Sequence, residues 1–291
     1  SGMDPGGLPA PERLFRGFMS YEQFYGLREQ AFSNAPDSRF YFESSQHSEA
    51  MVRMLHAVDT MKGLTVVVGD IGAGKTLLAR KALEKLEQDH QYEATLLVIV
   101  HTEITAEWML KKIAVQLGVE NPGETKGQII SQLYERLMKI YEEGRKAVVL
   151  IDEANMLQKK EIFEEFRGLL NLEVPGRKLI SIVLLGLPEL EQYLALDPPL
   201  FQRIAVKFFV KSLTRESTEN YIQHRLSVAG CAKPVFSQEA FQKIFDYTRG
   251  IPRLINTACD NAMLEGYLLK KETIDGDIID QVAKDLGLKK E

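Results

Sequence analysis

Apolar residues along this chain recur with two spacings, and the places where one gives way to the other divide it. Ser48 to Met61 reads as a helix, with Met51, Met54, Leu55 and Val58 at i, i+3, i+4 and i+7 and the methionines facing a core. Short apolar runs then alternate with helical stretches, giving strands at 64–68, 95–101, 147–151 and 179–185 and helices at 75–89, 105–117, 127–143 and 158–171. That alternation predicts a parallel sheet wrapped by helices, with any ligand at the carboxyl ends of the strands. Asn121-Pro122-Gly123 marks a turn within the long middle section. Beyond Asp197-Pro198-Pro199 and a last strand at 205–210, only the helical spacing remains, at 214–228, 237–248, 252–269 and 275–286, with Ser237 and Thr273 as expected N-caps. The predicted plan is an α/β domain with a three-layer αβα core over 20–210, then a small all-α lid over 211–291. An N-terminal extension over 1–19, rich in Gly, Pro and Arg, is expected to be flexible.

Chemistry enters at Gly69-Asp70-Ile71-Gly72-Ala73-Gly74-Lys75-Thr76, a complete G-x-x-x-x-G-K-[ST] loop between the first strand and the following helix. Glycines let backbone N–H groups close on phosphates, Lys75 can reach the β- and γ-phosphates, and the Thr76 hydroxyl can ligate magnesium at a helix N-terminus. Gly69 through Leu77 is therefore the predicted nucleotide-binding segment. Downstream, Val148-Val149-Leu150-Ile151 reads as a buried strand ending in Asp152-Glu153, a Walker B element. Asp152 can hold the magnesium and Glu153 can polarise the attacking water. Taken alone such a pair also suits a solvated helix N-terminus; behind a phosphate loop the metal-binding reading is preferred. The stretch before all of this, 21–47, carries Tyr21, Phe24, Tyr25, Phe32, Phe40, Tyr41 and Phe42 in no regular spacing. It is expected to pack on the core beside the nucleotide.

The bulk properties narrow the partners. With 291 residues, 45% hydrophobic and 26% charged, the chain can bury one α/β core plus a smaller domain. Its formal charge of −5 provides no global basic field for nucleic acid or anionic lipid. Lys111-Lys112 and Lys159-Lys160 are local basic pairs, a spacing equally suited to solvated helix faces. Cys231 and Cys259 follow no metal-ligand spacing and are expected to be buried thiols of a reduced cytoplasmic protein. No apolar run approaches the roughly 18 residues that span a bilayer, and no signal-peptide pattern opens the sequence. Ser1-Gly2 before Met3 reads as a cloning remnant, and Met19 as an alternative start.

Several further blocks carry a family resemblance. They are Tyr21-Glu22-Gln23-Phe24-Tyr25-Gly26-Leu27, Ala31-Phe32 with Ala35-Pro36-Asp37-Ser38-Arg39-Phe40, His47 before Glu49-Ala50, Asp152-Glu153-Ala154, and Leu169 to Glu173. With Gly186-Leu187-Pro188-Glu189-Leu190, Gln202-Arg203-Ile204, Tyr221 to Leu226 with Ala229-Gly230, and Gly250-Ile251-Pro252-Arg253-Leu254-Ile255-Asn256, they resemble, over about 20–270, the general secretion pathway protein A (ExeA-type) AAA+ ATPase family, to which the ATPase regulators of some transposons are related. The resemblance implies a P-loop AAA+ core with a helical lid, ATP or ADP with Mg2+ as cofactors, and assembly into a ring or filament. It makes Arg253 the sensor 2 arginine, gripping the γ-phosphate from the lid; the competing reading is an interdomain salt bridge. It makes Arg203 an arginine finger for a neighbouring subunit, against a structural arginine at the hinge, with Arg177 as a weaker candidate. His47 would belong to the adenine-side pocket or be structurally satisfied. One departure is Leu187, where the family usually has glutamine: leucine cannot supply the polar sensor 1 contact, so hydrolysis would be slow or a neighbouring residue would substitute. His101 and Thr102 are possible partners for Glu153, or end-of-strand caps. Full-length relatives continue into a membrane span and a periplasmic region, so this chain would be a stand-alone homologue or a piece of a longer protein.

Three functions follow. The preferred one is an oligomerising, Mg-dependent ATPase that remodels or positions protein partners, some of them membrane-associated, in secretion, pilus or export assembly, with Glu153, Arg203 and Arg253 as catalytic residues. The second is an ATP-switched, DNA-binding regulator of the transposition type. The third is a nucleotide-bound scaffold that turns over slowly.

Overall fold

Leu64–Gly69 (β1), buried at every position, is the strand around which the first half of the chain is organised. In the computed structural model, which describes residues 20–288, it pairs in parallel with Ile180–Gly186 (β6) on one side and Ile204–Val210 (β7) on the other. Lys146–Asp152 (β3) lies beyond β6, and Tyr92–Val98 (β2) forms the far edge, so the order is β2-β3-β6-β1-β7 with every pair parallel. The inner strands are mostly apolar because both faces are covered, whereas edge strand β7 alternates partly exposed and exposed positions up to the buried Val210.

Strand alternation sends neighbouring residues to opposite layers. Val67, Val148, Leu150, Val183 and Leu185 pack against Ser45–Asp59 (α2) and Lys75–Glu87 (α3), where Met51 and Met54 are buried as expected. Val66, Val68, Val149, Ile151, Ile182 and Leu184 face Ala106–Gln116 (α4), Lys126–Glu142 (α5) and Lys160–Leu169 (α6). The three-layer αβα core predicted from the alternation is thus the observed one.

Some boundaries differ. β2 runs over 92–98 rather than 95–101, because its partner β3 ends at Asp152; Val98 is the last paired residue, and Ile99 N–H makes the final bond to the Asp152 carbonyl at 3.1 Å. A two-residue-per-arm hairpin, Glu173–Val174 (β4) with Arg177–Lys178 (β5), was not expected, nor were the short helices Tyr21–Tyr25 (α1), Leu190–Leu194 (α7) and Pro198–Phe201 (α8). Such elements are too short to show a period.

The C-terminal region is helical: Arg215–Val228 (α9), Gln238–Thr248 (α10), Pro252–Leu268 (α11) and Gly276–Asp285 (α12). Ser237 caps α10 as predicted. Thr273 does not cap α12; Asp275 does, accepting from Ile278 N–H, because Ile274 is still extended in a parallel bridge to Phe236. The aromatic segment packs mainly on this region, with Tyr25, Leu27, Ala31, Phe32 and Phe40 buried in one cluster with Leu213, Tyr221, Leu226 and Phe236, while Tyr41 packs on the sheet layer of α2 and α3. Tyr25 Oη donates to the Lys271 carbonyl at 2.9 Å, and Phe32 meets Phe236 edge-on. Cys231 and Cys259 are both buried, unpaired thiols, and burial pushes the Cys259 thiol up. The extension over 1–19, including Met19, lies outside the described residues.

Candidate functional site

The phosphate loop leaves β1 and enters α3 through two glycines in the left-handed region, Gly72 at φ +79° and Gly74 at φ +95°. Both are also close approaches: an added Cβ on Gly72 would stand 2.7 Å from Arg253 Cβ, and one on Gly74 would stand 2.9 Å from His47 Nε2. Gly74 is the N-cap of α3 and has no side-chain cap bond, so the first-turn N–H groups of Lys75, Thr76 and Leu77 remain for a ligand at the positive end of the helix. Lys75 is only 7% exposed; its Nζ donates to the carbonyls of Gly69 at 2.7 Å and Asp70 at 2.8 Å. Burial lowers the Lys75 pKa, while the facing carboxylates of Glu153, Asp152 and Asp70 act to raise it. Gly69, Asp70 and Ala73 do not line the adjoining cavity, but their carbonyls fix Lys75 and His47.

That cavity, of about 340 Å³, lies between the sheet's carboxyl edge and the helical region. Ile71, Gly72, Gly74, Lys75, Thr76, Leu77, Glu153, Leu187 and Arg253 all line it, so most of the sequence-predicted residues meet there. Asp152, at the end of β3, is 1% exposed, and its Oδ2 is a buried acceptor with no hydrogen-bond partner. A buried, orphaned carboxylate oxygen whose charge reaches the P-loop lysine fits a hydrated divalent cation, since it is otherwise a costly group to bury. Glu153 follows at φ +56°, a left-handed conformation costing about 1–2 kcal/mol for a residue with a Cβ, and it opens a single 3-10 turn over Ala154–Met156.

His47 is tied to the loop rather than left facing a base. Its Nε2 lies 2.9 Å from the Ala73 carbonyl, which can only accept, so Nε2 carries the proton; Nδ1 then accepts from the Ser44 hydroxyl at 2.7 Å. Burial lowers the pKa of the ring, against the raising effect of the Ala73 bond. Ser44 is also the N-cap of α2, so this bond pair anchors the start of α2 to the phosphate loop.

Arg253 sits in the first turn of α11, behind Pro252. Its backbone N–H donates to the Gly72 carbonyl at 3.3 Å, which docks the helical region directly on the loop. Arg203 is exposed outside the cavity lining, with Nη1 donating to Asn171 Oδ1. Arg177 stacks on Tyr141 and donates to the Arg145 carbonyl, beside the amino ends of the strands. His101 and Thr102 fall beyond the end of β2, and neither lines the cavity.

Two groups of lining residues escaped the sequence reading. Asn155, two residues past Glu153, accepts from the Leu187 backbone N–H at 2.9 Å. At the other end, Arg225 is 5% exposed, and no carboxylate pairs with it among the described residues. Its guanidinium donates to the carbonyls of Ala31 and Ser33 and to the Tyr221 hydroxyl, and lies 4.8 Å from the Phe40 ring centre. Tyr221 Oη donates to Asn256 Oδ1, and Asn256 Nδ2 to Asn34 Oδ1, so three of the resemblance blocks converge here. No local pattern signals the links that close this network, because residues 31–34 are 192–222 positions from their partners Arg225 and Asn256.

Comparison with known proteins agrees with this geometry. The AAA domain family matches residues 58–194. General secretion pathway protein A of Aeromonas hydrophila is 32% identical over 250 residues, 85% of this chain; the chain spans 45% of that protein's length. Among solved structures, Cdc6p from Pyrobaculum aerophilum superposes with a TM-score of 0.69 at 17% identity, covering 88% of this chain and 70% of that one. The Aeropyrum pernix ORC1 protein in complex with DNA gives 0.65 at 17%, covering 89% and 69%. The RuvB Holliday junction branch migration motor of Thermotoga maritima gives 0.54 at 17%, covering 84% and 70%. At such identities these structures speak for the fold alone. Fold, loop and secretion-protein relative together place this chain in the AAA+ family of the general secretion pathway protein A type.

Proposed function

We propose that this protein binds ATP with Mg2+ in the cavity under α11, hydrolyses it, and uses the change at the γ-phosphate to move its helical lid within an oligomer that positions protein partners in cell-envelope assembly. The observation that carries the catalytic part is the buried, unpartnered Oδ2 of Asp152, at the end of β3 and close enough to Lys75 to act on its charge. Bound magnesium would neutralise phosphate charge. Thr76 and Asp152 would hold it. Lys75 Nζ exchanges two carbonyl acceptors for phosphate oxygens. The Glu153 carboxylate takes the proton of the attacking water, and its left-handed backbone aims it into the cavity rather than along β3. The Arg253 guanidinium, fixed at the base of its side chain by the Gly72 contact, reaches phosphate oxygens bidentately and loses that grip after hydrolysis.

The assembly part is supported by the secretion-protein relative and by the exposed position of Arg203, where a finger for a neighbouring subunit would have to be. Among the described residues no helix is long and apolar enough to cross a membrane, so attachment to an envelope apparatus would run through a partner or a further segment. The DNA in the ORC1 complex belongs to that protein. Here Lys159 and Lys160 face Glu103 and Glu164, and the Lys112 amine lies over the Trp108 ring.

Phosphate release per subunit, measured against protein concentration with ATP and magnesium, tests the proposal. A steep rise with concentration, lost in Glu153→Gln and in Arg203→Ala, is the expected result. A flat, near-zero rate with ATP bound would instead indicate a switch or scaffold.

A further inference from the structure

Leu187 lies where the family resemblance expects a polar side chain to sense the γ-phosphate, and it lines the cavity with an aliphatic one. We infer that Asn155 supplies the missing contact: its side-chain amide donates a hydrogen bond to a γ-phosphate oxygen and so discriminates ATP from ADP. The inference rests on the nucleotide-binding reading above.

Three observations carry it. First, the amide's orientation is determined by its partner. The Leu187 backbone N–H can only donate, so the atom 2.9 Å from it must be Oδ1, and Nδ2 faces the other way. Second, Nδ2 has no protein acceptor among the described residues, although Asn155 is only 8% exposed and its side chain lines the cavity. A donor so placed has the cavity itself as its remaining direction. Third, the side chain is held stiffly. It stands on the 3-10 turn that begins at Glu153, and it packs on the end of β6 so closely that a Cβ added to Gly186 would lie 2.8 Å from Oδ1 and 3.0 Å from the Asn155 backbone nitrogen. The asparagine therefore bridges the ends of β3 and β6, the two strands next in order beside β1, from which the phosphate loop leaves. His101 and Thr102 do not line the cavity, leaving Asn155 as the uncharged side-chain donor nearest in sequence to Glu153 there.

Binding separates this role from a purely structural one. Dissociation constants for ADP and for a non-hydrolysable ATP analogue, both with magnesium, are to be measured for the wild type, Asn155→Ala and Asn155→Asp. The aspartate keeps an acceptor for Leu187 N–H and removes the donor. The expected result is an ADP affinity within about twofold of wild type in both variants, with analogue affinity reduced about tenfold or more, and most in the aspartate because its charge repels phosphate. Adding Leu187→Gln to Asn155→Ala should restore part of the analogue affinity. Equal weakening of both ligands in Asn155→Ala, with Asn155→Asp matching wild type, would make the residue a strand anchor only and overturn the inference. Unchanged analogue binding in both variants would overturn it as well. A wild type that binds ADP but shows no preference for the analogue defeats this inference while leaving the nucleotide site standing; one that binds neither defeats the nucleotide reading, and this inference with it.

Discussion

The two ends of the cavity are built differently. At the sheet end, the phosphate loop and Asp152-Glu153 are positioned by backbone: strand register brings Val98 opposite Asp152 and Val68 opposite Gly186, and two left-handed glycines shape the loop. At the helical end the lining is held by side chains, with Arg225, Tyr221, Asn256 and Asn34 bonding one another and the carbonyls of Ala31 and Ser33. Phosphates are the same in every nucleotide and suit a fixed cradle of amides. The helical end depends instead on side-chain partners, so a single substitution there can change the lining while the phosphate cradle stays in place.

This contrast can be broken at four points. Glu153→Gln should abolish turnover by about 10²–10⁴ while ATP still binds, because it removes proton transfer and leaves the backbone cradle intact; phosphate release set against calorimetric affinity checks it. Arg225→Met should cost the fold about 3 kcal/mol, from three lost hydrogen bonds to a buried cation, as read by urea unfolding. It should also weaken ATP binding while inorganic triphosphate, which uses only the sheet end, binds as before. Equal losses for the two ligands would show that the ends are not separable.

Gly72→Ala acts where the two regions touch. The alanine must adopt φ near +79° and would meet Arg253 Cβ at 2.7 Å, so a loss of about 2 kcal/mol in urea unfolding is expected, with faster proteolysis between β7 and α9. The smallest effect is that of pH through His47. Burial holds its folded pKa below the ordinary imidazole value of about 6.5, so above that pH the ring is neutral in both states and its contribution is complete. As pH falls from there towards the folded pKa, only the unfolded chain takes up the proton, and stability drops by at most about 1.4 kcal/mol per pH unit from this group. His224, also lowered chiefly by burial, adds in the same direction. Urea midpoints at pH 7.5 and 5.5 should differ more for the wild type than for His47→Gln.

Legibility in the sequence followed the same division. Gly69 to Thr76 and Asp152-Glu153 could be read directly, because each is a short contiguous segment whose chemistry depends on spacing along a strand or turn. The alternation of apolar runs likewise gave the parallel sheet, since a buried strand must be apolar on both faces, and it missed the β4–β5 hairpin and helices α7 and α8 for lack of a full period. Thr273 was a reasonable cap by residue type; the Phe236 bridge to Ile274, a contact 38 residues distant, moved the helix start to Gly276. His47 could be associated with the nucleotide but not with the Ala73 carbonyl.

What the sequence alone determined, then, is the phosphate chemistry and the layer architecture, because both arise from local spacing and periodicity. What only the tertiary structure decided is which polar side chains complete the cavity. Asn155 gains a fixed orientation only where β6 ends against it, and Arg225 finds its carbonyl acceptors only where residues 31–33 fold back onto α9. A hydrogen bond needs its partner within about 3 Å and correctly aimed, and for residues some 30 to 220 positions apart no local propensity specifies that approach; the packing of the whole chain does.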